Sequence, residues 1–227
     1  TELNNKSNNL GLQQYYQLLK DTPNSISQFN HPGPTFGNFA DFAYLDPVID
    51  QRISLIEVGN GEGAVGSGGY FRSYDQYIKA LDKGWHLAPT NNQDNHKGKW
   101  GDANTARTVI YTNDLSVDGL YKALREMRVW ATEDNNLDVV YTINDNLLGT
   151  ILDEVPESAN ISVSVSDPDV KDKIQTLSII SNGGKAVVNE TVGANSIEFE
   201  TTIEDPTPGY YFVQIVQEDG DIAVTAP

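Results

Sequence analysis

Ile53-Ser54-Leu55-Ile56-Glu57-Val58, followed by Gly59-Asn60-Gly61-Glu62-Gly63, is the stretch whose reading decides the fold. The first six residues are a short apolar run closed by turn residues, which reads as an interior strand. The glycines after it let the backbone approach a ligand closely. Glu57 is the odd residue in the run. A buried carboxylate needs a partner, and a cation is a natural one.

Upstream, residues 1 to 11 are polar and Asn-rich and read as a loose end. Leu12, Tyr15, Tyr16 and Leu19 recur at helical spacing, and Asp21-Thr22-Pro23 ends that helix. Ile26 to Phe29 is a short strand stopped by Asn30-His31-Pro32-Gly33, which puts His31 at a strand's carboxyl end. Phe36, Phe39, Phe42 and Tyr44 then lie in an ordered loop, where they either floor a pocket or pack the loop onto the body.

Downstream, Gly66 to Gly69 is a flexible connection, and Ser73 with Gln76 gives a capping-box start to a helix that Gly84 ends. Trp85-His86-Leu87-Ala88 reads as the next strand. The polar stretch Pro89 to Trp100 follows, so Asp94 and His96 fall just past a strand's carboxyl end, where parallel α/β folds build their sites. Arg107 to Thr112 is another strand, Ser116 and Asp118 open a helix, and Val129 to Thr132 is one more strand. Strands alternating with helices argue for parallel pairing.

The pattern changes after that. Val139 to Ile143 and Leu147-Leu148 around Asn144-Asp145-Asn146 read as a hairpin, and Gly149 to Ala159 as a boundary. Beyond it the apolar period becomes two, as in Ile161, Val163, Val165 and in Ile197, Phe199. Tyr211 to Val216 is apolar on both faces, as a strand covered on both sides would be. Short strands with turns between them predict a small Ig-like β-sandwich over residues 151–227, after an α/β unit over residues 1–150.

With 32 Asp and Glu against 15 Lys and Arg, the 227-residue chain carries a formal charge of -17, which repels nucleic acid and anionic membranes. No apolar run approaches the ~20 residues that span a bilayer. The absence of cysteine excludes thiolate chemistry and disulfides. An acidic, Asn-rich, cysteine-free chain fits a secreted bacterial protein, extracellular or at the cell surface.

An ionised Asp oxygen and a neutral imidazole suit zinc, manganese or iron, so His31, Asp94 and His96 are the expected metal ligands. Glu57 is a ligand, a base or a support for the ligands. Arg107 and Lys97 either hold an anionic substrate group or are surface charges. His86 reads as a satisfied hydrogen-bonding residue.

Asn30-His31-Pro32-Gly33, Ile56 to Gly61, Ala80 to Trp85, Asp94-Asn95-His96 and Ala106 to Val109 together resemble the carboxyl-terminal half of a PHP-domain metallohydrolase, in the branch that includes carbaryl-hydrolase-like proteins. The resemblance runs from about Leu12 to Trp130. It implies a distorted, TIM-like β/α barrel whose site binds up to three zinc, manganese or iron ions and hydrolyses phosphoesters or small esters. It also implies that His31, Asp94 and His96 are ligands. The family's early His-x-His pair is not in this sequence, which holds three histidines in all. The expectation is therefore a partial PHP-type barrel followed by the sandwich, with its open edges covered by an amino-terminal half or by another copy.

The competing expectation is a secreted binding or adhesion module without catalysis. Its cues are the acidic turns Asp167-Pro168-Asp169 and Glu218-Asp219-Gly220-Asp221, which either hold calcium or are solvated turn acids.

Overall fold

The computed structural model describes residues 11–227, so the expected loose end lies, Gly11 apart, outside the described residues. Three strands run parallel: β1 (Ser27–Phe29), β2 (Ile53–Asn60) and β4 (Ala88–Asn92), with β2 in the middle. A two-residue strand, β3 (Phe71–Arg72), pairs antiparallel with Gly59 and Asn60 at the end of β2. All eight residues of β2 are buried, as the apolar run demands. Trp85 to Leu87 lie outside β4, whose strand begins at Ala88 and ends at Asn92.

Helices α1 (Leu12–Lys20), α2 (Pro47–Asp50) and α3 (Tyr74–Asp82) supply Tyr16, Leu19, Ile49, Tyr77 and Leu81 to a core shared with Ile56, Val58 and Trp85. Ser73 precedes α3, but its hydroxyl donates to the Glu57 carbonyl (2.8 Å) and accepts no hydrogen bond from the N–H groups of the helix end. The predicted capping box is thus replaced by a tie between helix and strand.

The remaining strands form two antiparallel sheets. One has the order β11 (Lys185–Ala194), β10 (Ile174–Ser181), β13 (Phe212–Gln217), β14 (Ile222–Thr225), β6 (Val129–Thr132) and β5 (Arg107–Ile110). The other runs β12 (Ser196–Glu204), β9 (Ser158–Ser166), β7 (Asp138–Ile143) and β8 (Asn146–Leu147). They face each other through Val139, Tyr141, Ile161, Val163 and Val165 on one side and Leu177, Ile179, Val213, Ile215 and Ala223 on the other. The far face of the six-stranded sheet sends Ala131, Ile180, Phe212 and Val224 into the core of the parallel sheet. That sheet is therefore a middle layer, and β13 is apolar on both faces for that reason.

The partial TIM-like β/α barrel is not formed. Among the described residues, strand makes up 38% and helix 16%, and no sheet closes into a barrel. The alternation of strand and helix through β6 misled because β5 and β6, although joined through α4 (Val117–Arg125), pair antiparallel. After α4 the chain turns back at Met127, whose φ is +56°, and the Tyr111 amide donates to the Arg128 carbonyl (2.8 Å). The helix thus rides on a long hairpin instead of bridging two parallel strands. Strands from both sides of residue 150 share both antiparallel sheets. Among the described residues, no helix is long and apolar enough to cross a membrane.

Candidate functional site

The carboxyl ends of β1, β2 and β4 gather a chain of polar side chains. At its centre Glu57 is 3% exposed, inside a strand with no exposed residue. One carboxylate oxygen accepts from the Asn92 amide (2.9 Å); the other accepts from Asn60 (2.9 Å) and from the backbone N–H of His31. Burial pushes the Glu57 carboxyl above its usual range, and these donors, with the nearby His31, pull it partly back. The network continues outward: Asn92 also donates to the Thr90 hydroxyl (3.2 Å), Thr90 to Gln28 (2.9 Å), and Gln28 to Asn30 (3.0 Å).

His31 is held in the left-handed region, φ +36°, two residues past the end of β1, with its ring against Phe36 at 4.7 Å between centroids. Its Nδ1 is buried and has no hydrogen-bond partner. A buried, unpaired imidazole nitrogen beside a buried carboxylate is a donor set that a cation would satisfy.

Asp94 and His96 follow β4 but stay at the rim. Asp94 Oδ1 and His96 Nε2 are 3.9 Å apart, with the imidazole 76% exposed. The loop that carries them is tied down by its own amides: Asn95 accepts from the N–H groups of Lys97 and Lys99, and Asn104 donates to the carbonyls of Gly61 and Gly63. Lys97 pairs with Glu62 (2.5 Å), which lowers the Glu62 carboxyl, and its side chain is largely exposed. Arg107 donates to the carbonyls of Asn104 (2.7 Å) and Ala106 (2.8 Å), so its guanidinium braces the loop. His86 is satisfied by Asp50 (2.6 Å), the cause of its raised pKa.

The structure thus joins His31 to Glu57 and Asp94 to His96, but it does not bring His31, Asp94 and His96 to common ligand spacing. Among the described residues, only Asp134, Asp167 and Asp172 place three such ligand atoms within 4.8 Å of one another. That trio sits at the end of the sandwich.

A separate ion pair, with its carboxylate buried and its guanidinium partly exposed, closes the space between β3 and β6. Glu133, fully buried, takes a bidentate pair from Arg72 (2.7 and 2.6 Å), the hydroxyl of Tyr70 (3.0 Å) and the N–H of Ile222 (2.9 Å). Gly59 is required here because a Cβ would lie 2.1 Å from the Tyr70 hydroxyl and 2.4 Å from Asn91 Oδ1. Asn60, Asn92, Tyr70 and Glu133 carry no signal of this role in the sequence. Asn and Tyr serve turns and cores so often that only the fold reveals their aim.

A cleft of about 910 Å³ lies elsewhere, lined by Trp85, His86, Met127, Tyr141, Leu148 and Tyr210 among others. None of His31, Glu57, Asp94, His96, Lys97 or Arg107 borders it. The chemistry-bearing residues therefore stand apart from this cleft. No family model, curated protein or solved structure matches the chain.

Proposed function

We propose that the carboxyl ends of β1, β2 and β4 form a divalent-metal site for hydrolysis of a small ester or phosphoester. The observation that carries this is the orphaned His31 Nδ1 beside Glu57, a buried carboxylate whose direct donors are neutral amides and one backbone N–H. The resemblance of the Asn30-His31-Pro32-Gly33 and Asp94-Asn95-His96 motifs to PHP-type metallohydrolases supports the same chemistry, without support from a barrel.

His31 and Glu57 would hold zinc, manganese or iron, which when bound supplies an acidified water and polarises the ester. The amides of Asn60 and Asn92 fix the Glu57 carboxylate, and Phe36 fixes the His31 ring. Asp94 and His96 stand at the rim as further oxygen and nitrogen donors.

Titration of chelator-stripped protein with manganese or zinc, followed by calorimetry, tests the site. His31→Ala and Glu57→Gln are expected to weaken binding at least about tenfold and to abolish manganese-dependent hydrolysis of bis(4-nitrophenyl) phosphate. Unchanged affinity in both variants would sink the metal site. Tight binding without turnover on phosphodiester or carboxylic ester probes would sink hydrolysis.

A further inference from the structure

Three connections meet at one end of the sandwich: β6 to β7, β9 to β10, and the β13 to β14 turn. They bring together Asp134, Asp167 and Asp172, with Asp219 and Asp221 near enough to repel them. Asp134 and Asp167 are each 6% exposed. Among the described residues, no Lys, Arg or His forms an ion pair with any of these five carboxylates. The nearest guanidinium, Arg72, is committed to Glu133.

Acidic clusters are common without ligands, and this one alone would carry nothing. The independent sign is Gln217. Its side chain is 1% exposed and its amide lies between the carboxylates, with Nε2 donating to Asp167 (2.7 Å) and Asp134 (3.3 Å). Its amide oxygen Oε1 is buried and accepts no hydrogen bond. Asp172 Oδ1 is buried and unpartnered as well. A buried carbonyl oxygen and a buried carboxylate oxygen, each without a donor and both at this acidic end, are atoms that a cation would satisfy.

The donors are all oxygen: three carboxylates and one amide carbonyl, with no nitrogen or sulfur. That set suits a hard cation. Two oxygens bound to calcium at about 2.4 Å stand at most about 4.8 Å apart, the spread these carboxylates already have. Magnesium holds several waters in a strict octahedron, and a pocket offering four protein oxygens with a further acid on each side fits calcium better. We propose that this end of the sandwich is a calcium site, with Asp134, Asp167 and Asp172 as carboxylate ligands and the Gln217 Oε1 as the neutral one.

Burial, followed by repulsion from Asp219, Asp167, Asp134 and Asp221, holds the Asp172 carboxyl up to about 7, and Asp221 is held up to about 6. Calcium would reverse both. It would also lock three loops drawn from both sheets, which makes it a structural ion rather than a catalytic one.

The test is thermal melting and calorimetry of chelator-stripped protein with calcium chloride, with magnesium chloride at equal concentration as control. One calcium per chain is expected, with Tm raised by roughly 5–10 °C at a hundredfold excess over Kd, and little response to magnesium. Asp172→Asn and Gln217→Leu should each cut affinity at least about tenfold, whereas Glu57→Gln should leave the calcium response unchanged. Absence of calcium binding at millimolar concentration, an equal response to magnesium, or full binding by Asp172→Asn would overturn the proposal. Loss of the response in Glu57→Gln would overturn it too, by placing the ion at the other pole.

Discussion

Glu133 and Asp134 are adjacent in the chain and both buried, yet they live in opposite electrostatic worlds. Glu133 points toward the parallel sheet, where Arg72 grips both of its oxygens. Asp134 points toward the sandwich end, where its neighbours are Asp167 and Asp172 and its side-chain partner is the amide of Gln217. Glu57 lies between these extremes, held by amides and a backbone N–H beside a neutral-capable imidazole. A buried carboxylate can be balanced by a fixed charge, by oriented dipoles or by a mobile ion. The chain has built the first and second at Glu133 and Glu57, and it leaves Asp172 with neither.

Removing the fixed charge should do the most damage. Arg72→Met keeps the side-chain length but leaves the Glu133 carboxylate, which has no exposed surface, without its cation. The expected loss is about 2–4 kcal/mol in urea unfolding, less than stranding one member of a wholly buried pair because the guanidinium is partly exposed. A loss below about 1 kcal/mol would mean that the hydroxyl of Tyr70 and the N–H of Ile222 suffice, and the contrast with Asp134 would shrink accordingly.

Removing a dipole should cost less. Asn92→Ala takes one donor from Glu57 while Asn60 and the His31 N–H remain, so about 1–3 kcal/mol is expected. The same variant should raise the Glu57 carboxyl further, since the Asn92 bond is the largest influence holding it down. Proton titration by carboxyl-carbon NMR measures this directly, and an unmoved Glu57 would deny the amides their role.

Much of the first pole is legible in sequence, and little of the second. β2 announces itself as an apolar run, Glu57 as its misfit and His31 as a histidine at a strand's end, because local pattern alone encodes these facts. Pairing direction is not local. That β5 and β6 run antiparallel depends on a left-handed turn at Met127, a residue type that gives no hint of it. β10 and β11 are also hard to read, β10 because its residues serve two cores and lose alternation, β11 because most of its residues are exposed. The acidic turns at Asp167 and Asp219 can be seen in the sequence. Asp134 and Gln217, which complete the ligand set, are a turn acid and a strand-end amide that only tertiary structure joins.

The smallest expected effect concerns the carboxylate with no built-in balance. The groups facing Asp172 are Asp134, Asp167, Asp219 and Asp221, all acidic, with Arg72 turned to Glu133. Its folded-state pKa, about 7, lies above the ordinary value of 3.8 for the unfolded chain. The folded protein therefore keeps its proton more readily, and the associated stability is present below pH 4 and lost as pH rises through about 7. In chelator, the wild type should thus lose Tm between pH 5 and pH 8 relative to Asp172→Asn, which cannot ionise there, by only about a degree or two because solvent screens this partly exposed group. With calcium the order should reverse, the wild type becoming the more stable of the two at pH 8. Parallel pH profiles of the two proteins in both conditions would show no gap of either sign if Asp172 were merely a solvated turn acid.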